Sequence, residues 1–367
     1  MSGSKPWVLI TEGMEGESRG SLAAVRALAA DEYRTAVTVS KDLSLAASSR
    51  YCSRVVRVPL ASDPGYADAV RAELKAGGYL AVLPTSDDAL AALDAPVSHF
   101  LDKVVCAERA RSHGIDVAPT RSFESGISLL EAADELSYPI VVKPVTKRYA
   151  ASRVDDATQL FGAVRDDGPV LVQPFLEGEG HAIAGLVWGG RLIQSVHMRY
   201  VRMWPLPCGT VASAVTTQPN LELERALTGV LEGYDGIFHA EFLGPYLQDL
   251  NPRVHGTLPL AVASGVNLVS SYCRMVAGET VETRRGNAGL FFRWIEGDIR
   301  STLDALRNGR IDLRTAVRAI LPRRNTVHSY ESLLDPRPMF TRTRLIRRRL
   351  RMKRAEGSSN LIVPERL

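Results

Sequence analysis

Glu241, Asp249 and Asn251 are spaced so that three oxygen-bearing side chains meet on one face of a strand pair. They lie in HAEFLGPYLQDLNPRVHGT, from His239 to Thr257, where Phe242, Leu247 and Leu250 alternate as a half-buried strand requires. Alternate residues of a strand face the same way, so Asp249 and Asn251 project together, and Glu241 joins them from the preceding antiparallel strand. Two carboxylates and an amide are hard oxygen donors of the kind Mg²⁺ takes, with water and nucleotide phosphates completing its shell. Mn²⁺ accepts the same donors. Arg253 falls on the metal side two residues later, where a planar guanidinium can grip phosphate or carboxylate oxygens in pairs. His255 is close enough in sequence to enter an acceptor site.

The elements that must position these groups are legible from pattern. Trp7 to Ile10 reads as a buried strand, followed by the turn-rich TEGMEGESRG and the helix SLAAVRALAADEY. Strands at 36–39, 55–58 and 79–83, with a helix over 66–75, continue an alternation that predicts an open, mostly parallel α/β sheet across roughly the first hundred residues. The glycines of the first loop do not match GxGxxG, so a dinucleotide site is not expected there. YPIVVK at 138–143 and VLVQ at 170–173 are β runs, and 182–187 with 191–197 predicts a hairpin turning at Gly189-Gly190. An antiparallel sheet is expected in this middle region. Helices are predicted over 221–233 and most of 259–277, whereas the stretch from Met198 to Pro219 reads as loop. These boundaries give an α/β unit over 1–100, an α+β catalytic unit over 101–290 and a helical extension over 291–367.

Composition narrows the class. A 45% hydrophobic and 23% charged chain of 367 residues has ordinary globular balance. No run of about 18 apolar residues suggests a membrane span, and the N-terminus lacks a signal-peptide layout, which makes a cytoplasmic location the expectation. Four scattered cysteines suggest buried thiols rather than a disulfide framework or a zinc site. The net charge of +4 is local: TRTRLIRRRLRMKR holds seven arginines and a lysine, and removing those eight from the total leaves −4 on the rest. Leu345, Ile346 and Leu350 can form one stripe on this basic helix, which raises contact with an anionic membrane surface or a partner protein, or packing on the body itself. Interleaved base-reading residues are missing, so nucleic acid is not expected.

Taken in order, these motifs resemble the ATP-grasp superfamily over roughly residues 101–278. LDKVVCAERARSHGIDVAPT is similar to its entry helix, YPIVVKP to its phosphate-contacting strand, VLVQPFLEGEG to the hinge that frames adenine, and EF with QDLNPR to its metal strands. The resemblance implies ATP and Mg²⁺ as cofactors and an α/β pre-grasp domain ahead of the grasp. Lys103 and Lys143 would approach the nucleotide phosphates. Lys143 also calls for an anion on physical grounds, because an ammonium ending a buried strand is costly to desolvate without one. Gln173 would read the base, with backbone groups of Phe175 and Leu176 at the adenine edge, and Glu179 would meet the ribose hydroxyls. Two positions differ from the usual pattern. Asp249 replaces a glutamate, and the lid segment VTKRYAASRV has no glycine, leaving Lys147, Arg148 and Arg153 to supply charge in place of backbone amides.

ATP-grasp ligases couple a carboxylate to an amine through an acyl phosphate, with release of ADP. The resemblance therefore implies small-molecule carboxylate and amine substrates, and a homodimer is compatible with it. Arg253 would neutralise the γ-phosphate and the acyl phosphate. Kinase or carboxylase chemistry on the same fold is the alternative, as is a nucleotide-binding scaffold without turnover.

Overall fold

The computed structural model describes residues 5–12, 16–93, 98–146, 149–165 and 167–359. Its first layer is a four-stranded parallel sheet in the order β3-β2-β1-β4, with β1 at Trp7–Thr11, β2 at Arg34–Val39, β3 at Arg54–Arg57 and β4 at Tyr79–Pro84. Its helices are α1 (Arg19–Ala30), α2 (Tyr66–Gly77) and α3 (Asp87–Ala92). α1 begins where the Ser18 hydroxyl accepts the Ser21 N–H at 3.0 Å, which satisfies one of the helix's unpaired amides. The parallel α/β reading of this region matches the observed order.

The second layer starts with α4 (Lys103–Ser112), capped by Asp102, whose carboxylate accepts the Val104 and Val105 amides. A small antiparallel sheet follows in the order β5-β8-β6-β7. Its strands are β5 (Arg121–Phe123), β6 (Ile140–Pro144), β7 (Ser152–Val154) and β8 (Val170–Pro174), with α5 (Gly126–Glu131) and α6 (Ala157–Ala163) between them. Leu129, Val142, Leu160 and Val172 form its separate core.

The largest sheet runs β13-β12-β9-β10-β11-β15-β16 with β14 beside β10. These strands are β9 (Gly180–Trp188), β10 (Arg191–Trp204), β11 (Thr210–Thr217), β12 (Gly236–Leu243), β13 (Tyr246–Asn251), β14 (Arg284–Arg285), β15 (Phe291–Arg293) and β16 (Thr326–His328). The β9–β10 hairpin turns at Gly189 and Gly190, both at positive φ, which glycine adopts without Cβ strain. Helices α7 (Leu221–Val230), α8 (Leu258–Ala263), α9 (Leu268–Val276), α10 (Ile295–Arg307), α11 (Leu313–Ile320) and α12 (Arg337–Ser359) are the further helices among the described residues.

Three expectations change. Residues 198–204 and 210–217, read as loop, are strand: β11 pairs with β10 and β15. Their Ser, Thr and Ala content hides the period, but Val211, Ala212 and Ala214 are buried. Phe291–Arg293, read as helix, is strand, and the sheet therefore continues through the expected break at residue 290. Leu345 of the basic helix is buried in the main core, which withdraws it from any membrane-facing stripe. Among the described residues no helix is long and apolar enough to cross a membrane.

The parallel layer docks on the large sheet through α1. Leu22 and Leu28 share one core with Leu258, Val266 and Leu268, each buried leucine contributing about 2 kcal/mol. Asn267 adds two bonds, from its Nδ2 to the Ala27 carbonyl and to Asp31. This docking brings the first turn of α1 against the loop after β13, where a Cβ on Gly20 would stand 3.3 Å from the His255 carbonyl carbon.

Candidate active site

Strands β12 and β13 carry a polar face and an apolar face. Ala240, Phe242 and Leu250 pack into one core beneath. On the opposite face, His239 pairs in register with Asn251 and Glu241 with Asp249. Asn251 Nδ2 donates to Asp249 Oδ2 at 3.3 Å, and His239 Nδ1 lies 3.1 Å from Glu241 Oε1. The next register pair is Phe242 with Leu247, so Gln248 is an extra, bulged residue. Bulges re-aim neighbouring groups; here the Gln248 carbonyl accepts from Lys143 Nζ at 3.3 Å.

Lys103, Lys143, Gln173 and Asp249 line one cavity of about 230 Å³, together with Thr120, Glu108 and Arg111. Lys143 is 8% exposed. Burial pushes its ammonium down to about 8, against the pull of Asp249, and the charge of Lys103 acts in the same direction as burial. Such a lysine gains most from an anion. Lys103, in the first turn of α4, reaches the Val145 carbonyl at 3.5 Å. Gln173 Nε2 donates to Thr120 Oγ1 at 2.8 Å, which fixes the amide at the cavity wall.

The donor set fits Mg²⁺. Glu241 and Asp249 offer two opposed carboxylates, and Asn251 Oδ1, though it accepts from Arg253 Nη2 at 2.7 Å, keeps a second lone pair. Among the described residues no three His, Cys, Asp or Glu side chains form a ready cage, and a magnesium site completed by phosphates does not require one.

Arg253 is clamped between Asn251 and Asp87, to which its Nε donates. Burial alone would lower the guanidinium, but the neighbouring Asp87 carboxylate holds it above the ordinary arginine range. His255 is 4% exposed. Its Nδ1 contacts Thr257 Oγ1 at 2.6 Å, its ring stacks on His239 at 4.4 Å, and burial, then the His239 and Arg253 charges, hold its pKa well below the usual histidine value. The His255 Nε2 has no hydrogen-bond partner among the described residues.

Beyond Gln173, the hinge residues stand apart from the cavity wall. The Phe175 N–H donates to the Pro139 carbonyl at 2.9 Å, so that amide is already used, and its carbonyl and the Leu176 backbone are the groups left for an adenine edge. Glu179 is exposed and pairs with Arg199 at 3.3 Å. Arg153 stacks over the Phe175 ring at 4.1 Å and pairs with Asp155, which aims it at the hinge. Lys147 and Arg148 lie outside the described residues.

Three neighbours escaped sequence reasoning. Asp87 opens α3, 166 residues before Arg253. Tyr200 sits on β10 near the carboxylates, its phenol driven well above 10 by burial and then by Glu241 and Asp249. His239 could have been found, because it shares the strand period of Glu241.

A scan against protein-family models finds no match. Part of the chain is similar to the carbamoyl phosphate synthase large chain of Xanthomonas campestris pv. campestris, at 27% identity over 195 residues, 46% of this chain and 18% of that one. The corresponding protein of Corynebacterium glutamicum is 26% identical over 188 residues, 45% of this chain and 17% of the other. The matched segment thus spans under a fifth of these relatives. Among solved structures, the chain is similar to N5-carboxyaminoimidazole synthetase from Staphylococcus aureus, with a TM-score of 0.61, 12% identity, and coverage of 83% and 85% of the two chains. An L-amino acid ligase from Bacillus licheniformis gives 0.56, with 19% identity and 75% of each chain. Carboxyaminoimidazole ribonucleotide synthase from Aspergillus clavatus, solved with ATP, gives 0.62, with 15% identity over 80% and 82%.

Proposed function

Starting from the ATP-grasp fold that this chain shares with those structures, we propose that it is an ATP- and Mg²⁺-dependent ligase joining a carboxylate to an amine. The observation that carries this reading is the convergence of Lys103, Lys143, Gln173 and Asp249 on one cavity, with Glu241 opposite Asp249. The relatives add support: one structural neighbour is an amino acid ligase, one was solved with ATP and another with MgADP and bicarbonate.

Glu241, Asp249 and Asn251 hold the metal, which spreads phosphate charge when bound. Lys103 and Lys143 hold the phosphates, and burial makes their charges count for more than in water. Gln173 sits at the base end, and the free backbone groups of Phe175 and Leu176 meet the adenine edge. Glu179, exposed beyond the cavity, is the group this reading gives to the ribose. A substrate carboxylate oxygen attacks the γ-phosphorus, the bond to the bridging oxygen of ADP breaks, and Arg253 stabilises the acyl phosphate. An amine then attacks the acyl carbon, phosphate leaves, and the ammonium proton passes to a base. The His255 Nε2, buried and without a hydrogen-bond partner among the described residues, is the acceptor-side group that this reading assigns.

ADP release screened over pairs of amino acids, and over bicarbonate with amines, tests the proposal. An amide product supports the ligase reading. A carboxylated amine made only with bicarbonate moves it to a carboxylase, and a stable phosphorylated product to a kinase. ATP binding without ADP release under any pair leaves a scaffold.

A further inference from the structure

We infer that the arginine-rich helix α12 forms one wall of a binding site for a small anionic acceptor, phosphate- or carboxylate-bearing. A second cavity of about 630 Å³ lies between the loop after β1, the start of β11 and α12. Five cations, Arg19, Lys41, Arg342, Arg348 and Arg349, line it against one carboxylate, Glu17. Trp294 and Leu345 supply apolar surface. A concave, partly apolar volume with convergent charge is the usual form of a small-ligand site.

The cations have different duties. Arg342 is committed to the fold: it donates to Glu296 at 2.7 and 3.0 Å and to Glu17 at 2.6 Å. Arg349 also reaches Glu17, at 2.8 Å. Arg348, on the adjoining position of the helix, has no ion-pair partner among the described residues. Arg19 is the most telling. Its guanidinium stacks over Trp294 at 4.1 Å and its Nη2 donates to Thr210 Oγ1 at 3.3 Å. Its Nη1 is buried with no partner among the described residues. Burial lowers this group to about 10, Glu331 opposing and Arg342 adding to the effect. A guanidinium in that condition gains from an anion.

The cavity adjoins the chemistry. Arg19 lies against Gly256, where a Cβ would stand 3.6 Å from its Cζ, and Gly256 follows His255. On the other side, the connection between β10 and β11 runs from Cys208, near enough to Lys143 for the ammonium to act on its thiol, to Thr210, which holds Arg19. An acceptor seated on Arg19 and Arg348 thus lies beside the proposed acyl phosphate.

As the seat of the acceptor this inference rests on the ligase reading; as an anion site it is tested without turnover. Calorimetric titration of the full chain with phenyl phosphate and with benzoate, at constant ionic strength, should show saturable binding of at least one. R348E/R349E should weaken that binding tenfold or more and leave Mg-ATP affinity unchanged. Which probe binds separates phosphate from carboxylate recognition. Absence of saturable binding, equal binding by the variant, or displacement of the probe by ATP overturns the inference. Vesicles of phosphatidylserine that bind the wild type but not the variant, with neither probe binding, assign the helix to a membrane surface instead. Should the double reversal lose ATP as well, Arg348→Ala decides by the same criterion. Failure of the ADP screen with probe binding intact removes the ligase reading alone.

Discussion

Asp249 stands directly opposite Glu241 across β12 and β13, and the bulge at Gln248 one step along turns a main-chain carbonyl toward Lys143. One irregularity in a strand pair thereby sets the carboxylates and the Lys143 ammonium in a common frame.

Asp249→Ala removes one of the opposed carboxylates. Outer-shell changes at metal sites cost about 10–100-fold, so loss of a direct ligand should lower ADP formation by at least about 100-fold. Thermal unfolding without nucleotide should stay near wild type. Turnover close to normal would withdraw the metal assignment.

Asp87→Ala leaves the Arg253 guanidinium inside the protein with Asn251 as its remaining side-chain hydrogen-bond partner among the described residues. Breaking a buried pair from one side costs about 3 kcal/mol or more, to be read in the urea midpoint. Arg253→Lys keeps the charge but cannot span Asn251 and Asp87 together. Its stability should fall less than that of the aspartate variant, while ADP formation falls about tenfold.

Lys143 gives a signature in alkali. Its folded value of about 8 lies below the ordinary 10.5, so between those limits the unfolded chain binds more protons and stability rises with pH. The full effect is about 3 kcal/mol, and Lys143→Met should abolish it in unfolding curves at pH 7.5 and 10. Nucleotide affinity runs the other way. On the proposed reading ATP meets the charged ammonium, so its Kd should climb above pH 8 in the wild type and stay flat to pH 10 in Lys143→Arg.

Glu12 tests the loop after β1. Its carboxyl is buried and pushed up to about 7, burial outweighing the bonds from Ser44 and Ser18. The folded chain therefore holds this proton longer, and the stability it brings, about 3 kcal/mol at full shift, is present below pH 4.5 and lost as pH rises to 7. Glu12→Gln should flatten the decline between pH 5 and 8. An equal slope in the variant would place the titrating group elsewhere.

Local patterns with strong periods were legible in the sequence. Lys143, Glu241, Asp249 and Asn251 stood at fixed offsets on strands whose apolar partners marked the faces, and the structure keeps those faces. What chain order hides is contact between distant segments: nothing near Asp87 shows that it will clamp Arg253. Trp204 to Gly209 is rich in proline, and its turn character masked the two strands it joins. The basic tail read as charge without context, because Glu17 and Glu296, its partners, lie hundreds and tens of residues away.

The bond between Arg342 and Glu17 links positions 325 residues apart. Contacts of such separation form only after the intervening chain has closed a very long loop, and they weigh against rapid folding. A ribosome-bound chain lacking α12 cannot possess this latch, so the loop after β1 receives its final restraint only once synthesis has passed residue 342. The cavity lined by Arg19 and α12 is thus assembled last, and a partly made chain would lack its arginine-bearing wall.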